Sequence, residues 1–492
     1  MRPSLSPLAL ALAAIVLSAC AVGPDYHRPT VELPEQFRGT ADIGQRTVAP
    51  SAPELSSWWQ GFNDPVLNRV VTTALAQNLD LAQAVARVSQ ARAGTESARA
   101  VLLPSGQLSA QAARAHQSLE DPVVAAEASS IPGFNRNSYY YNVDAGASWE
   151  IDLFGGLRRS AEAAQAEYEA TQAASVAARL EVIAATADTY VLVRTLQARL
   201  QLAREQTATQ QDRVRLVRLL ASRGLAPDWQ LREAQGVLSE VSASVPALEI
   251  GQVSARNALD VLMGRTPGTS DPDLDAIAPI PSAPAVQTAV GPADLLRRRP
   301  DIIVAERRLA ASNARIGEAL SDYYPKFSLS ALMGSTTTVG GHLFDSPANV
   351  ALGAFGLRWR LFDFGRVDAE VKAAKGKNAE ALAAYRLSVL QATADIENAF
   401  SALVKREAQE KLFRDGETSL SHARDSIAAG YARGTSSYVN VLEADSRLEA
   451  IQDARIIAQS SAARAAIASF KALGGGWDDD KATIGQDVAA MY

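Results

Sequence analysis

Few residues in this chain are of the kinds, and at the spacings, that chemistry needs. Its four histidines, His27, His116, His342 and His422, are scattered. None pairs with another at i and i+4 and none stands in register with a carboxylate cluster, so no metal site is expected. No Gly-x-Ser-x-Gly elbow and no Gly-rich phosphate loop of the Walker type occurs. The one residue placed for a covalent reaction is Cys20, the single cysteine of the chain. It cannot form an internal disulfide, and a lone free thiol in an oxidising compartment is a liability. As a thioether it is neither. Neither an enzyme nor a cofactor is expected, apart from a covalent group on Cys20 itself.

The element that positions Cys20 is a leader. Arg2 is followed by an apolar stretch from Leu5 to Leu17, too short to span a membrane and closing in small residues, which reads as a signal peptide over residues 1–19. Leu17-Ser18-Ala19-Cys20 resembles a lipobox, where diacylglycerol is attached to the cysteine before cleavage. Two or three acyl chains anchor stably where one does not. Ala21, rather than aspartate, follows the cysteine; by resemblance to enterobacterial lipoproteins this implies sorting to the outer membrane. No later stretch reaches about 18 apolar residues, so no transmembrane helix is expected. Any crossing must be made by strands. The formal net charge of −6, without a Lys/Arg run interleaved with aromatics, excludes a nucleic-acid partner.

Self-comparison shows two copies of one unit. Asp80 aligns with Asp301, Pro104 with Pro325 and Leu108-Ser109-Ala110 with Leu329-Ser330-Ala331, all at one offset. At a second, shorter offset Trp149 aligns with Trp359, Phe154-Gly155 with Phe364-Gly365, Arg223-Gly224 with Arg433-Gly434 and Gly264 with Gly474. The first copy therefore has the longer loop between Pro104 and Trp149. The resulting domains are an N-terminal segment over 20–64, a first repeat over 65–263, a proline-rich linker over 264–291, a second repeat over 292–476 and a tail over 477–492. Each repeat reads as a helical segment (66–102; 293–321) broken near Leu79 or Pro300. A β-hairpin follows (106–153, with strands at 106–118 and 138–153; 326–363, with strands at 326–337 and 350–363). Next comes a long helix (156–222; 366–432), and last a shorter one (228–263; 436–473). Neither long stretch contains proline. At 1.5 Å per residue each is about 100 Å long, a length suited to a rod or tube rather than a compact domain.

Alternation in the strands is nearly perfect. Tyr139, Tyr141, Val143, Ala145, Ala147, Trp149, Ile151 and Leu153 fall on one face, and Tyr140, Asn142, Asp144, Gly146, Ser148, Glu150 and Asp152 on the other. In the second copy Phe355, Leu357, Trp359 and Leu361 point one way, Arg358 and Arg360 the other. A period of two over this length fits a barrel strand with lipid outside and water inside. Two hairpins give four strands, and four cannot close. Open edges in lipid leave backbone groups unpaired, so the chain is expected to form oligomers. Three copies would supply twelve strands, an even number within the known range.

The residues also resemble a family: the outer-membrane factors of resistance-nodulation-division (RND) efflux systems, in the TolC-like superfamily, and specifically their NodT-type lipoprotein branch. The resemblance covers nearly the whole mature chain. It is carried by Val22-Gly23-Pro24-Asp25-Tyr26, Trp58-Trp59, Phe62-Asn63-Asp64-Pro65 and Trp149-Glu150-Ile151-Asp152-Leu153-Phe154-Gly155. The second copy adds Arg298-Arg299-Pro300-Asp301, Glu306-Arg307-Arg308-Leu309, Tyr324-Pro325 and Ala472-Leu473-Gly474-Gly475-Gly476-Trp477. The resemblance implies a mainly α fold with β: a homotrimer with a twelve-stranded outer-membrane barrel continued by a twelve-helix periplasmic barrel. It further implies a passive exit duct whose partners are a periplasmic adaptor, an inner-membrane RND transporter and the lipid of the outer membrane. A type I protein-secretion duct shares fold and tip. A coiled-coil lipoprotein tethering envelope layers explains the helices and Cys20 but not the alternating strands.

By the same resemblance, the turns Arg223-Gly224-Leu225 and Arg433-Gly434-Thr435 are the tips that meet the adaptor. The family's closed tip uses a tyrosine, an arginine and an aspartate, which fall here on Tyr431, Ser436 and Gln230. Since only the tyrosine survives, the lock must be built differently, with Arg433 or Asp228 at hand. The family's lumen-facing aspartate rings fall on Asn440 and Glu443, and three copies of Glu443 would favour cations in a narrow constriction. Inside the barrel, Glu150 and Asp152 are expected to form cross-strand ion pairs with Arg358 and Arg360. Trp149 and Trp359 are expected at the periplasmic membrane edge.

Overall fold

Each copy folds as two helices, a strand pair, one very long helix and one about half as long. In copy one these are α1 (Pro65–Gln77), α2 (Leu79–Ala100), β1 (Ser105–His116), β2 (Asn137–Ile151), α3 (Gly156–Ser222) and α4 (Asp228–Leu262). In copy two they are α5 (Pro292–Arg298), α6 (Pro300–Ser321), β3 (Lys326–Thr337), β4 (Asn349–Arg358), α7 (Arg366–Ala432) and α8 (Tyr438–Ala472). The computed structural model describes residues 21–46, 53–286 and 291–477; the signal segment, Cys20 and all of the tail but Trp477 lie outside the described residues. Among those described, no helix is long and apolar enough to cross a membrane.

The helix ends follow local chemistry. Asp64 caps α1, accepting from the N–H groups of Val66 (2.9 Å) and Leu67 (3.0 Å), with Pro65 at the first helical position. The break between α1 and α2 is the extended residue Asn78, whose side-chain oxygen accepts from Asp80 and Leu81 and restarts the helix. In copy two the break falls on Arg299, also extended, as the residue before a proline must be. The last helix of each copy ends in one kind of turn. Gly264 and Gly474 take φ of +68° and +72°. Arg265 N–H then reaches the Asp260 carbonyl at 2.8 Å, and Gly475 N–H the Phe470 carbonyl at 2.9 Å. A Cβ on Gly264 would lie 2.2 Å from the Gln77 carbonyl oxygen, so glycine is required there for space as well as for φ.

The chain divides into two compact units. The first comprises Met1–Pro29, Ser89–Glu169 and Glu306–Ala383 and holds one antiparallel sheet of order β1-β2-β3-β4. Leu108 faces Ala145 in the first hairpin and Leu329 faces Phe355 in the second, and the repeat aligns Leu108 with Leu329 and Ala145 with Phe355. The two hairpins therefore have the same register. The longer loop of copy one carries a short helix at Pro122–Ser130. The strands end earlier than alternation suggested: β1 at His116 rather than 118, β2 at Ile151 rather than 153, β4 at Arg358 rather than 363.

An N-terminal strap lies in the same unit. Val22 N–H donates to the Phe154 carbonyl (3.0 Å). Arg159 reaches the Val22 carbonyl (3.2 Å) and the Asp25 carboxylate (2.7 Å). Asn313 donates to the Pro24 carbonyl (3.0 Å), and Tyr26 O–H donates to Glu306 (2.5 Å). The Arg159 hydrogen bond holds the Asp25 carboxyl below its ordinary range.

The second unit comprises Thr30–Val88, Ala170–Ala305 and Ala384–Tyr492. Its core includes Trp58 stacked on Phe470 at 5.2 Å, with Leu67, Val70, Ile183, Val191 and Leu403 fully buried. Arg194 is buried there too, and it is satisfied by the Tyr190 hydroxyl, Gln197 and the carbonyls of Asp273 and Ala276. Those carbonyls belong to the linker, which is not extended throughout. It contains a short helix at Pro272–Asp275, and Asp271 binds Arg69 and Arg265.

Candidate functional site: the strand faces and the hairpin turns

Because side chains alternate along a strand, the register sorts the sheet into two faces. On one face Leu108, Ala145, Met333 and Ala351 form a row, and Ala112, Tyr141 and Thr337 another. Trp149, Leu329 and Phe355 also lie there. Its large members are bare: Leu108 is 76% exposed, Met333 66% and Phe355 65%. An apolar face this open marks a surface made for lipid or for another chain. The opposite face carries Gln107, Ser109, Asn142, Asp144, Glu150, Ser328, Ser330, Thr336 and Arg358, with Leu332, Val350 and Leu352 among its apolar members. Ser109 donates to Asp144 at 2.7 Å, and Thr336 to Asn142 at 2.8 Å.

The expected ion pairs between Glu150 or Asp152 and Arg358 or Arg360 are not made. The sheet order places β3 between β2 and β4, so the two are about 10 Å apart. Glu150 stands opposite Ser328, and Arg358 opposite Lys326. Asp152 lies beyond the strand and caps α3, accepting from Leu157 N–H (3.1 Å) and Arg158 N–H (2.8 Å). Arg360, also beyond its strand, pairs with Asp322 at 3.4 Å.

The two tryptophans do equivalent work. Trp149 Nε1 donates to the Leu102 carbonyl (2.9 Å), and Trp359 Nε1 donates to the Tyr323 carbonyl (3.1 Å). Leu102 and Tyr323 are themselves matching residues of the repeat. Each indole ties the end of a hairpin to the chain leaving the preceding helix.

Both hairpin turns are built alike. Gly224 and Gly434 take φ of +71° and +78°. Leu225 N–H reaches the Leu220 carbonyl and Gly224 N–H that of Ala221, and Thr435 N–H reaches Gly430 and Gly434 N–H reaches Tyr431. This double hydrogen bond closes α3 and α7 through a left-handed glycine. Arg223, Gly224 and Leu225 are exposed, as are Arg433, Gly434 and Thr435.

The residues expected at the constriction fall into separate local contacts. The Tyr431 ring lies 5.7 Å from that of Tyr438. Asn440 donates to the Ser436 hydroxyl at 3.3 Å, and its N–H is capped by Ser437, which starts α8 two residues later than expected. Glu443 is exposed and pairs with Arg447 one turn on at 2.5 Å, so its charge is partly offset within its own helix. Gln230 is half-buried, and Asp228 pairs with Arg232 at 3.3 Å.

A buried charge cluster went unread in the sequence. Asp445 on α8 is ion-paired to Arg213 on α3 and to Arg424 on α7 (2.8 Å). The Asp445 side chain is 6% exposed and that of Arg213 11%. Glu449, a turn further on, has its carboxyl pushed up by burial, against the opposing pull of Arg213 and of a hydrogen bond from Gln210. Burial likewise raises the Tyr438 hydroxyl. A signal did exist: the copy-one residues aligned with Arg424 and Asp445 are the uncharged Val214 and Gln235. Among the described residues no group of His, Cys, Asp and Glu is arranged to hold a metal.

A four-stranded sheet with one lipid-compatible face, one polar face and two open edges, joined to helices of 67 residues, defines the class of TolC-like outer-membrane channels. The chain belongs to the outer membrane efflux protein family, whose model matches residues 70–265 and 291–475. It is 31% identical over 427 residues to the pyoverdine export outer membrane protein OpmQ of Pseudomonas putida, covering 87% of this chain and 89% of that protein. It is 29% identical to nodulation protein T of Rhizobium leguminosarum biovar viciae, covering 98% and 96%. Among solved structures, the outer-membrane channel OprN is 32% identical with a TM-score of 0.81, covering 93% of this chain and all of that one. The open-state MtrE outer membrane channel of Neisseria gonorrhoeae is 28% identical with a TM-score of 0.80, covering 94% and 100%. The chain is thus an outer-membrane efflux channel of a Gram-negative cell, of the RND outer-membrane-factor type that includes NodT. Its family and relatives are channels, not enzymes.

Proposed function

We propose that three copies close into a twelve-stranded barrel, and that the trimer is the passive exit duct for an inner-membrane RND transporter reached through a periplasmic adaptor. The observation that carries this reading is the open sheet. One chain offers an apolar face fit for lipid, a polar face fit for a lumen, and two unpaired edges that lipid cannot tolerate. Closure by further copies satisfies every backbone group at once.

On this reading the adaptor meets Arg223-Gly224-Leu225 and Arg433-Gly434-Thr435, the exposed turns that join the long helices to the short ones. Tyr431, Ser436, Asn440, Glu443 and Gln230 line the constriction behind them, with Arg447 moderating the acidity of the Glu443 ring. Glu150 and Arg358 are on the lumen wall, and Trp149 and Trp359 mark the periplasmic edge of the membrane. Cys20 carries a covalent lipid that serves sorting and assembly, the barrel being the main anchor.

Planar-bilayer recording of the purified oligomer tests the duct directly. Discrete conductance steps are expected once the turns are released. Silence under every condition that opens the turns, with protein demonstrably inserted, would refute the reading.

A further inference from the structure

The two faces of the sheet differ in charge as sharply as in polarity. The polar face carries Asp144, Glu150, Lys326 and Arg358. On the apolar face the described strands hold a single Lys, Arg, Asp or Glu, and it is Arg114. A charge on a lipid-facing surface is strongly destabilising at mid-depth and tolerated at the membrane edge. Its height therefore decides what it can do.

The register gives that height. Arg114 stands opposite Tyr139, and Trp149 follows on the same face of β2, ten residues further along. Ten residues of strand run about 33 Å, and a tilt of about 40° leaves about 25 Å across the membrane, the full height of a barrel's apolar band. With Trp149 at the periplasmic edge, Arg114 falls at the outer one. Beyond it the same face turns polar, with His116 bonded to Asn137 at 2.6 Å.

Local contacts restrain Arg114 without satisfying it. Its guanidinium lies 5.6 Å from the centre of the Tyr139 ring, which is stacked on Tyr141 at 6.2 Å. A cation–π contact holds the group but takes none of its N–H donors. Among the described residues no oxygen accepts a hydrogen bond from it, and the Tyr139 hydroxyl is equally without a partner. The repeat does not explain the pair, since the matching places in copy two are Ser335 and Asn349.

We infer that Arg114 and Tyr139 bind the phosphate of a glycolipid headgroup in the outer leaflet. This rests on the closed-barrel reading above, which sets that face against lipid. The outer leaflet of a Gram-negative outer membrane is built of phosphorylated glycolipid, so phosphate is the anion that Arg114 meets at this height. The guanidinium fork matches two phosphate oxygens, and the phenol supplies a further donor. At the border of a low-dielectric band the attraction exceeds that of the same groups in bulk water.

Lipid titration of the full-length oligomer in detergent, read by native mass spectrometry, tests the site. The probe is bisphosphorylated lipid A, run beside the same lipid stripped of phosphate and with inorganic phosphate as competitor. Arg114→Gln should raise the half-saturating lipid concentration about tenfold, the loss expected for a hydrogen bond to a charged group. Tyr139→Phe should raise it less. Arg87→Gln, an equal loss of charge on α2, should leave it unchanged.

Equal binding by wild type and Arg114→Gln overturns the site, and so does equal binding of the phosphate-free lipid. Displacement of the lipid by equimolar inorganic phosphate overturns the lipid assignment and leaves a free-anion site. The same spectra report the mass of the protein. An intact oligomer whose lipid binding ignores Arg114→Gln sinks the phosphate site alone, whereas a single-chain mass in wild type sinks the barrel reading with it.

Discussion

Near its hairpin turn, copy one carries Val214 on α3 and Gln235 on α4, whereas copy two carries Arg424 on α7 and Asp445 on α8 at the matching places. The turns themselves are the same, with one left-handed glycine and one pair of hydrogen bonds each. Asp445 draws on both copies, binding Arg424 in its own and Arg213 in the other. The exposed surfaces differ as well. The first turn presents Leu225, 71% exposed, and Trp229, 56% exposed, while the second presents Thr435, whose hydroxyl is held by the Gly430 carbonyl. A duplicated backbone has thus been kept for its geometry, and the side chains have diverged. Copy two supplies Asp445 and Arg424 and copy one supplies Arg213 to the charge cluster that fastens the hairpins together, while the turn of copy one offers the apolar surface.

The largest test of that division is Asp445→Ala. Removing the carboxylate takes the ion pair from the buried Arg213 and leaves Glu449 to offset its charge, at a cost of about 3 kcal/mol after discounting the half-exposed Arg424. Faster hydrogen exchange around Arg213 and Arg424 should report it. The corresponding change in copy one, Gln235→Ala, should move the same measurement by less than about 0.5 kcal/mol. Equal effects would show that the two copies share the load and would break the comparison.

Of intermediate size are Gly224→Ala and Gly434→Ala. No atom lies within 4 Å of a Cβ built on either glycine, so only the left-handed backbone is penalised, by about 1 kcal/mol at each site. Melting temperatures should fall by similar amounts. A marked inequality would mean that the turns are not equivalent.

The smallest effect concerns pH. Burial places the folded Glu449 carboxyl above its unfolded value, so its contribution to stability is present at acid pH and is lost as pH rises through the raised value. The matching residue in copy one is Ser239, which does not titrate. Wild type minus Glu449→Gln should therefore show a relative gain in melting temperature on acidification from neutral pH. Because the group is partly exposed, the gain should be worth less than about 1 kcal/mol. A flat difference would remove Glu449 from the asymmetry.

Much of the architecture was legible because its causes are local. Proline-free, alanine-rich stretches propagate as helix, and glycine at Gly224 and Gly434 marks where the chain must enter the left-handed region. Alternation assigned each strand residue to a face. It could not assign neighbours: Glu150 and Arg358 do share a face, but β3 stands between their strands. It also overran β4, because the end of that strand depends on pairing, which is not a property of the strand's own residues. The Asp445 cluster was hidden for a similar reason. It assembles from three helices, and only the mismatch between copies at Val214 and Gln235 could have flagged it.

The strap from Val22 to Tyr26 bears on when the fold is completed. Its partners are Phe154 and Arg159 from the first copy and Glu306 and Asn313 from the second. The first stretch of this segment to leave the ribosome is therefore among the last to find its place, since contacts so far apart in sequence form late. Until the second copy is made, the strap has only its contacts to Phe154 and Arg159. Afterwards Glu306 and Asn313 complete its hold, and a finished chain differs from a truncated one in how firmly this strap is seated.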